Sequence, residues 1–324
     1  MQFESGHAQP RLIRGVEVQT PLLIPSFSSR GFPCVSEIFA ELRGQLYGVC
    51  LVSASDLSAG RIPPDVSDVA NLIVVDSGRY EAEQATTVST SCYMPPSIFQ
   101  WSRSLYHDAL SANVNCDANF ITVNYDKCGP IETQFKRADE DFALVPDATK
   151  DILVKPENPG DLVNIAKLSR YVSKLSGYDV IGVAARELGD SLIERCRAIV
   201  MLRDILNDFG LATPIHVFGA IRPAEVLAFF FCGADIFDGL GWLKSAFRDG
   251  ASVHIDEAAF EEHKWILRDE ELTYYERVHN LRTLYRLQQV TQSYAVTGDR
   301  RELMDQFSVT SKAARVAHLA GADI

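Results

Sequence analysis

The sequence has no run of the roughly 20 apolar residues that a membrane helix requires. Its most apolar stretch, Val226 to Cys232, has the length of a buried-helix segment. It has no CxxC pair, and its seven cysteines (Cys34, Cys50, Cys92, Cys116, Cys128, Cys196 and Cys232) are odd in number and scattered. That usage reads as free thiols in a reducing compartment, not as a disulfide framework. An excess of positive charge is missing as well: 31 Lys plus Arg stand against 43 Asp plus Glu, a formal charge of −12. Bulk electrostatics therefore advertise no polyanion partner, and any nucleic-acid surface has to be local. No Pro/Gly/Ser-rich linker, low-complexity tract, charge block or short repeat marks a domain boundary. The opening MQFESGHAQPRLIRG lacks the apolar core of a signal peptide, so a cytoplasmic protein is expected.

What is present is 47% hydrophobic residues against 23% charged, enough for a sizeable core. Short apolar, β-branched runs alternate with longer stretches of helical period. The runs are Leu22–Pro25, Tyr47–Ser53, Leu72–Asp76, Phe120–Asp126, Ile152–Lys155, Val180–Ala184, Ile215–Gly219 and Ala234–Asp238. The helical stretches between them are clearest at Pro95–Asn113, Pro130–Leu144, Gly160–Leu175, Ser191–Phe209 and Pro223–Cys232. Runs buried on both faces and separated by helices imply a parallel sheet. Eight such units predict an α/β protein of the closed (β/α)8 TIM-barrel type, with an open doubly wound sheet as the alternative. Arg11–Gln19, with Gly15 at its centre, reads as a small hairpin plugging the barrel floor. After residue 256 the pattern turns wholly helical, through Asp256–Gln292 and Arg301–Ala320. The expected organisation is a barrel over 1–255 and a C-terminal helical appendage over 256–324.

Reacting groups in such barrels sit where the strands end at their C-terminal face. Four runs end in a carboxylate or are soon followed by one: Asp76 in LIVVDSG, Asp126 in ITVNYD, Glu187 in VIGVAARE and Asp238 in ADIFDG. Any one of these reads as a helix or loop cap. As a converging set they suggest a site for a cation, a sugar or a base that donates hydrogen bonds. No phosphate loop of the GxxxxGK[ST] or GxGxxG type accompanies them, and His254, His263 and His279 stand in a region without cysteine, so no metal is expected. A GxSxG elbow is absent, and His216 inside an apolar strand reads as a structural histidine. Two carboxylates without metal or nucleophilic Ser or Cys fit retaining glycosyl chemistry, in which one acid attacks the anomeric carbon and the other handles the proton.

The segments TPLLIPSF (20–27), VVDSGRYE (74–81), NYDKCG (124–129), VIGVAARE (180–187), PIHVFG (214–219), CGADIFDG (232–239) and VHNL (278–281) follow one another in the order and approximate spacing of the tRNA-guanine transglycosylases. Over nearly its whole length the chain resembles that family, which exchanges a guanine in nucleic acid for a free 7-deazaguanine on a (β/α)8 barrel. The resemblance implies a pentosyltransferase with Asp238 as nucleophile and Asp76 as general base. Asp126 would accept hydrogen bonds from the N–H edge of the guanine-like ring. Tyr80 and Phe218 would cover its two faces, and Ser77, Gly182, Gly219 and Glu187 would complete the substrate pocket.

Several positions depart from the family pattern. Its zinc clasp needs three closely spaced cysteines besides the histidine of HNL; only His279 remains, so the zinc is expected to be lost, with Leu281, Leu284 and Tyr285 packing in its place. Lys155 stands about where the family has a glutamine, Val183 replaces a glycine, DSGRYE places Arg79 and Glu81 beside Asp76, and LGWLK replaces an LPTR stretch. The chain is thus more similar to transglycosylases that act on DNA than to the tRNA enzymes. The expected partners are nucleic acid, a free 7-deazaguanine base, and a partner protein or second copy of the chain, with no membrane. Lys244 and Arg248, together with Arg103, Arg282 and Arg286, are the candidate phosphate contacts. The alternatives are the same exchange in tRNA, a non-catalytic binding subunit, or a hydrolase acting on a free nucleoside or sugar.

Overall fold

A β-branched run buried on both faces is satisfied only inside a sheet that something else covers. The computed structural model, which describes residues 7–82, 100–114 and 119–324, solves this by closing the sheet on itself. Eight parallel strands form the barrel: β1 (Leu22–Phe27), β2 (Val49–Ser53), β3 (Leu72–Asp76), β4 (Asn119–Val123), β5 (Thr149–Val154), β6 (Val180–Ala184), β7 (Ile215–Phe218) and β8 (Ile236–Gly239). Each pairs with its chain neighbour, and β8 returns to pair with β1, Asp238 lying opposite Ile24. All eight expected runs became strands, and the closed barrel, not the open sheet, is the outcome.

The two-residue period of a strand sorts its side chains into two cores. Leu22, Ile24, Val49, Leu51, Leu72, Val74, Ile121, Val123, Leu153, Val180 and Ile236 fill the barrel interior. Alternate residues such as Leu23, Val52, Ile73, Ile152, Ile181, Val217 and Phe237 face outward into a second core shared with the helices. In the expected hairpin, Leu12–Ile13 pairs with Val18–Gln19, and Ile13 is buried in the interior core, closing the floor. Gly15 at the turn has φ +87°, a conformation that favours glycine.

The helices mostly follow the predicted ones: Ile131–Phe142, Leu192–Asp208 and Pro223–Phe231. Leu192–Asp208 starts in a capping box, Ser191 accepting from the Glu194 N–H while Glu194 reaches back to the Ser191 N–H. Of Pro95–Asn113, the described part is helical over Arg103–Asn113; Pro95, like Cys92 and Cys116, lies outside the described residues. The expected Gly160–Leu175 helix is broken. Asn164 caps the Lys167 N–H and delays its start, and a tight turn at Ser169–Tyr171 interrupts it, leaving Ile165–Leu168 and Val172–Leu175.

The C-terminal region holds helices Ile255–Glu261, Asp269–Thr297, Arg301–Gln306 and Thr310–Ala320. The expected continuous Asp256–Gln292 helix is interrupted at 262–268, where His263 takes φ +57° and the following helix begins in its own capping box at Arg268 and Glu271. A small antiparallel pair, β9 (Ala246–Arg248) and β10 (Ala251–Val253), precedes these helices and was not anticipated. Leu281, Leu284, Leu287 and Ala317 belong to the same outer core as the barrel strands. The long helix also grips the seam strand β1: Gln288 Oε1 accepts the Leu23 N–H at 2.8 Å, and Gln292 Nε2 donates to Pro21 O at 3.0 Å.

Beneath the seam sits a buried ion cluster. Asp235, just before β8, accepts from Arg203 Nη2 at 2.6 Å, Arg11 Nη1 at 2.8 Å and the Ile215 N–H at 2.8 Å, and all three side chains involved are buried. One carboxylate thereby ties the hairpin, the Leu192–Asp208 helix, β7 and β8 together. Removing one member of a buried ion pair strands the other charges in low dielectric. Asp235→Ala is therefore expected to destabilise the fold by about 3–5 kcal/mol, read as a lower urea midpoint; a loss within measurement error would show that the cluster does not hold the seam.

Candidate active site

The strand period that buries Leu72 and Val74 also turns Asp76 inward at the C-terminal end of β3, and the same phase carries Ile236 to Asp238 on β8. Both line one cavity of about 480 Å3 at the barrel mouth, together with Ser26, Tyr80, Glu81, Asp126, Lys155 and Phe218. The two aspartates therefore face a common space.

Glycines shape the loops that hold these acids. Gly78 has φ +79°, and a Cβ there would lie 2.7 Å from Ser55 Cβ and 2.9 Å from Trp101 Nε1, so the turn after Asp76 accepts no side chain. Gly219, with φ +79°, ends β7 so that its N–H donates to Asp238 Oδ1 at 3.0 Å. The other oxygen, Oδ2, accepts from Ser26 Oγ at 2.8 Å, and Ser26 Oγ in turn accepts the Gly239 N–H at 3.0 Å. Asp238 is thus anchored through both oxygens by β1 and β7, the neighbours of its own strand.

Asp76 lives in a different environment. Burial, with Asp126, Glu81 and Asp238 nearby, pushes its carboxyl well above the usual range, against a hydrogen bond from the Ser77 backbone. Asp126 is raised too, by burial, although Lys155, Ser77 and Arg79 oppose the shift. Ser77 Oγ donates to Asp126 Oδ1, and Lys155 Nζ lies 3.7 Å from Asp126 Oδ2 and 2.5 Å from Glu187 Oε1. Glu81, which accepts from Ser28 Oγ, is pushed up to about 7 by burial and the proximity of Asp56. Acids gathered in one cavity make ionisation of all of them costly.

Other expected residues have mixed placements. Tyr80 lines the cavity, one ring face covered by the Arg30 guanidinium at 4.1 Å. Phe218 lines it as well, stacked on the His216 ring at 3.8 Å between centroids. Gly182 lies beneath these walls and does not line the cavity: a Cβ would meet Phe218 Cε2 at 2.7 Å and Asp151 Oδ1 at 2.8 Å. Glu187 and Ser77 also stand behind the lining, acting through Lys155 and Asp126. Lys244 faces the cavity, as do Arg186 and Arg222, while Arg248 is bound by Glu262 and, at 2.7 Å, Glu276 near the long helix. Arg103 pairs with Glu140 and Asp141, Arg286 pairs with Glu302, and Arg282 is exposed on the long helix. His279 Nε2 contacts Phe247 O at 3.1 Å, and among the described residues no group of three His, Cys, Asp or Glu is placed to hold a metal ion.

Sequence reasoning missed the group under Asp238. His216 Nδ1 is 2.6 Å from Asp151 Oδ2, and its Nε2 is 3.4 Å from Asp238 Oδ1, with all three side chains buried. Burial pulls the imidazole down, but Asp151 and Asp238 outweigh it and raise it to about 9. At neutral pH a buried imidazolium therefore sits between two carboxyl groups. The signal was available: Asp151 and His216 share the inward phase of Leu153 and Phe218, and a polar residue on that phase of a strand buried on both faces needs a partner.

Compared with known protein families and with curated proteins, the chain matches none.

The His216 geometry sets a pH dependence. The folded chain holds the imidazole proton more tightly than the unfolded chain, whose value is near 6.5. The resulting stabilisation is complete below about 6.5 and is lost as pH rises through about 9. Urea unfolding followed from pH 6 to 10 should show this loss as a few kcal/mol, and His216→Gln should flatten it; an equally steep profile in the variant would refute the buried imidazolium.

Proposed function

We propose that the cavity exchanges a guanine in a nucleic-acid strand for a free 7-deazaguanine base of the kind bearing a small substituent at position 7, in a double displacement that retains configuration at the ribose carbon. The observation that supports this best is the meeting of Asp76 and Asp238 in one cavity in unlike settings, one raised by burial and by neighbouring acids and the other anchored on both oxygens. Acids held in unlike surroundings are suited to divide the labour of acid and nucleophile.

In the first displacement an Asp238 oxygen bonds to C1′ as the C1′–N9 bond breaks. The departing guanine takes that electron pair and the proton that Asp76 holds. In the second, Asp76, now a carboxylate, removes the proton from the ring nitrogen of the incoming base. That nitrogen bonds to C1′ while the bond from Asp238 breaks, so Asp76 ends protonated as it began. The His216 imidazolium, 3.4 Å away, steadies Asp238 whenever it is a free carboxylate. Asp126 accepts from the donor edge of the base, and Tyr80 and Phe218 provide the flat walls, each stacked base contributing about 1–3 kcal/mol.

An acidic floor suits the base but repels phosphates. Arg186, Arg222 and Lys244 line the same cavity, and the first two are 60% and 55% exposed, which suits them to phosphates at its mouth. The target base must leave its stack to reach Asp238. DNA is the polymer we favour, because LGWLK stands after Asp238 where the tRNA enzymes have LPTR. With a net charge of −12, a partner protein that opens the duplex fits this reading.

Incorporation of labelled guanine into DNA and into tRNA, with mass spectrometry of the released nucleosides, tests the reading. Asp238→Ala should lower exchange by at least about 1,000-fold, and Asp238→Asn should leave no covalent strand adduct on a denaturing gel. Asp76→Asn should slow exchange by about 100- to 10,000-fold. Full exchange by Asp238→Ala would end the proposal, and release of free base from a nucleoside without any polymer would replace it with a hydrolase.

A further inference from the structure

Behind the turn that carries Ser77 to Tyr80 lies a second cavity of about 500 Å3, lined by four cations (Arg79, Arg103, Lys127 and Arg137) and two aromatics (Trp101 and Tyr125). Among the described residues that line it, none carries a carboxylate. Arg103 is already neutralised, by Glu140 at 2.8 Å and Asp141 at 2.7 Å. Lys127 is exposed, and Arg137 Nη1 is buried without a hydrogen-bond partner among the described residues. A buried guanidinium donor without an acceptor among the described residues can take one from a bound anion.

The two cavities are joined by chain adjacency. Tyr80 and Asp126 line the acidic cavity, while their immediate neighbours Arg79 and Tyr125 line the basic one. The Arg79 guanidinium lies 5.7 Å over the Tyr125 ring, and Trp101 is fixed by donating from Nε1 to Ser77 O at 2.8 Å. The partition wall is thus a pair of dipeptides, each showing one residue to either side. In a chain with net charge −12, a cavity with cationic and aromatic walls and no acid among its described lining residues is a local exception.

We propose that this second cavity holds the nucleotide flanking the exchanged base, with one of its two phosphodiesters on Lys127, the other on Arg137, and its base against Trp101 or Tyr125. The assignment rests on the base-exchange reading of the first cavity. Arg and Lys donors fix a strand through its phosphates, and aromatic side chains take unstacked bases of any sequence.

The test is fluorescence titration of the full-length chain with short single-stranded DNA and RNA at several salt concentrations. A Lys127→Gln, Arg137→Gln double variant should bind about tenfold or more weakly. Its plot of log affinity against log salt should be shallower by about 1.4, since each phosphate contact on a single strand accounts for about 0.7. Lys127→Gln alone, at an exposed position, should lose about 0.7 of slope, which keeps the test open if the double variant fails to fold. Strand binding should quench tryptophan emission, and Trp101→Phe should remove that quenching; Lys312→Gln, on the last helix, should change nothing. Unaltered affinity and slope in both charge variants would overturn the subsite and leave the exchange assay on Asp76 and Asp238 standing. Quenching by inorganic phosphate without any response to oligonucleotide would overturn it in favour of a small free anion. Failure of the unsubstituted chain to bind either strand would remove the nucleic-acid reading of both cavities.

Discussion

Closure of the barrel at the seam between β8 and β1 is the constraint on which the rest of the molecule depends. Three residues apart, Asp235 and Asp238 stand at the two ends of the eighth strand. Asp235 gathers Arg203, Arg11 and the Ile215 N–H beneath the seam, and Asp238 is anchored by Ser26 and Gly219 above it. Without β1 against β8, Ser26 would not reach Asp238, and the cavity would lose one wall. The long C-terminal helix guards this joint, since Gln288 and Gln292 bond to backbone groups of β1 and the residue before it. The region expected as an appendage therefore shares the barrel's outer core and supports the strand pair that carries the proposed nucleophile.

Charge is arranged in layers. Below Asp238 lies His216, raised to about 9 and paired with Asp151; Asp76 is raised by burial and by Asp126, Glu81 and Asp238; Arg186, Arg222 and Lys244 line the same cavity. A buried cation lies beneath one carboxyl and acids lie beside the other, so two chemically identical side chains stand in unlike surroundings. Lys155 belongs to the same economy of charge, bridging Asp126 and Glu187 where a neutral glutamine would leave two acids facing each other.

Much of this was legible in the order of residues. The strands β3 and β6 fall on the expected Leu72–Asp76 and Val180–Ala184, because continuous β-branched runs have few other ways to be buried. The hairpin around Gly15 was readable from its turn residue. The break within 160–175 was not, because it depends on a cap at Asn164 and a turn at Ser169–Tyr171 that propensity alone does not resolve. Nor was β9–β10, three-residue strands that bond to the long helix through Asn280, which accepts the Phe247 N–H at 2.8 Å. Arg248 was a candidate phosphate contact, yet Glu276, 28 residues away, holds it.

Periodicity and turn chemistry are local, so the sequence by itself determined that eight barrel strands would alternate with helices and that Asp76 and Asp238 would stand at or near the C-terminal ends of two of them. Distances between side chains far apart in the chain are not local. Only the tertiary structure decided that His216 would be a cation between Asp151 and Asp238, that Gly182 would lie under Phe218, and that neighbouring residues would divide between an acidic and a basic cavity. Each of these follows from strand register around a closed barrel, where residues dozens of positions apart meet within a few ångströms and set one another's charge.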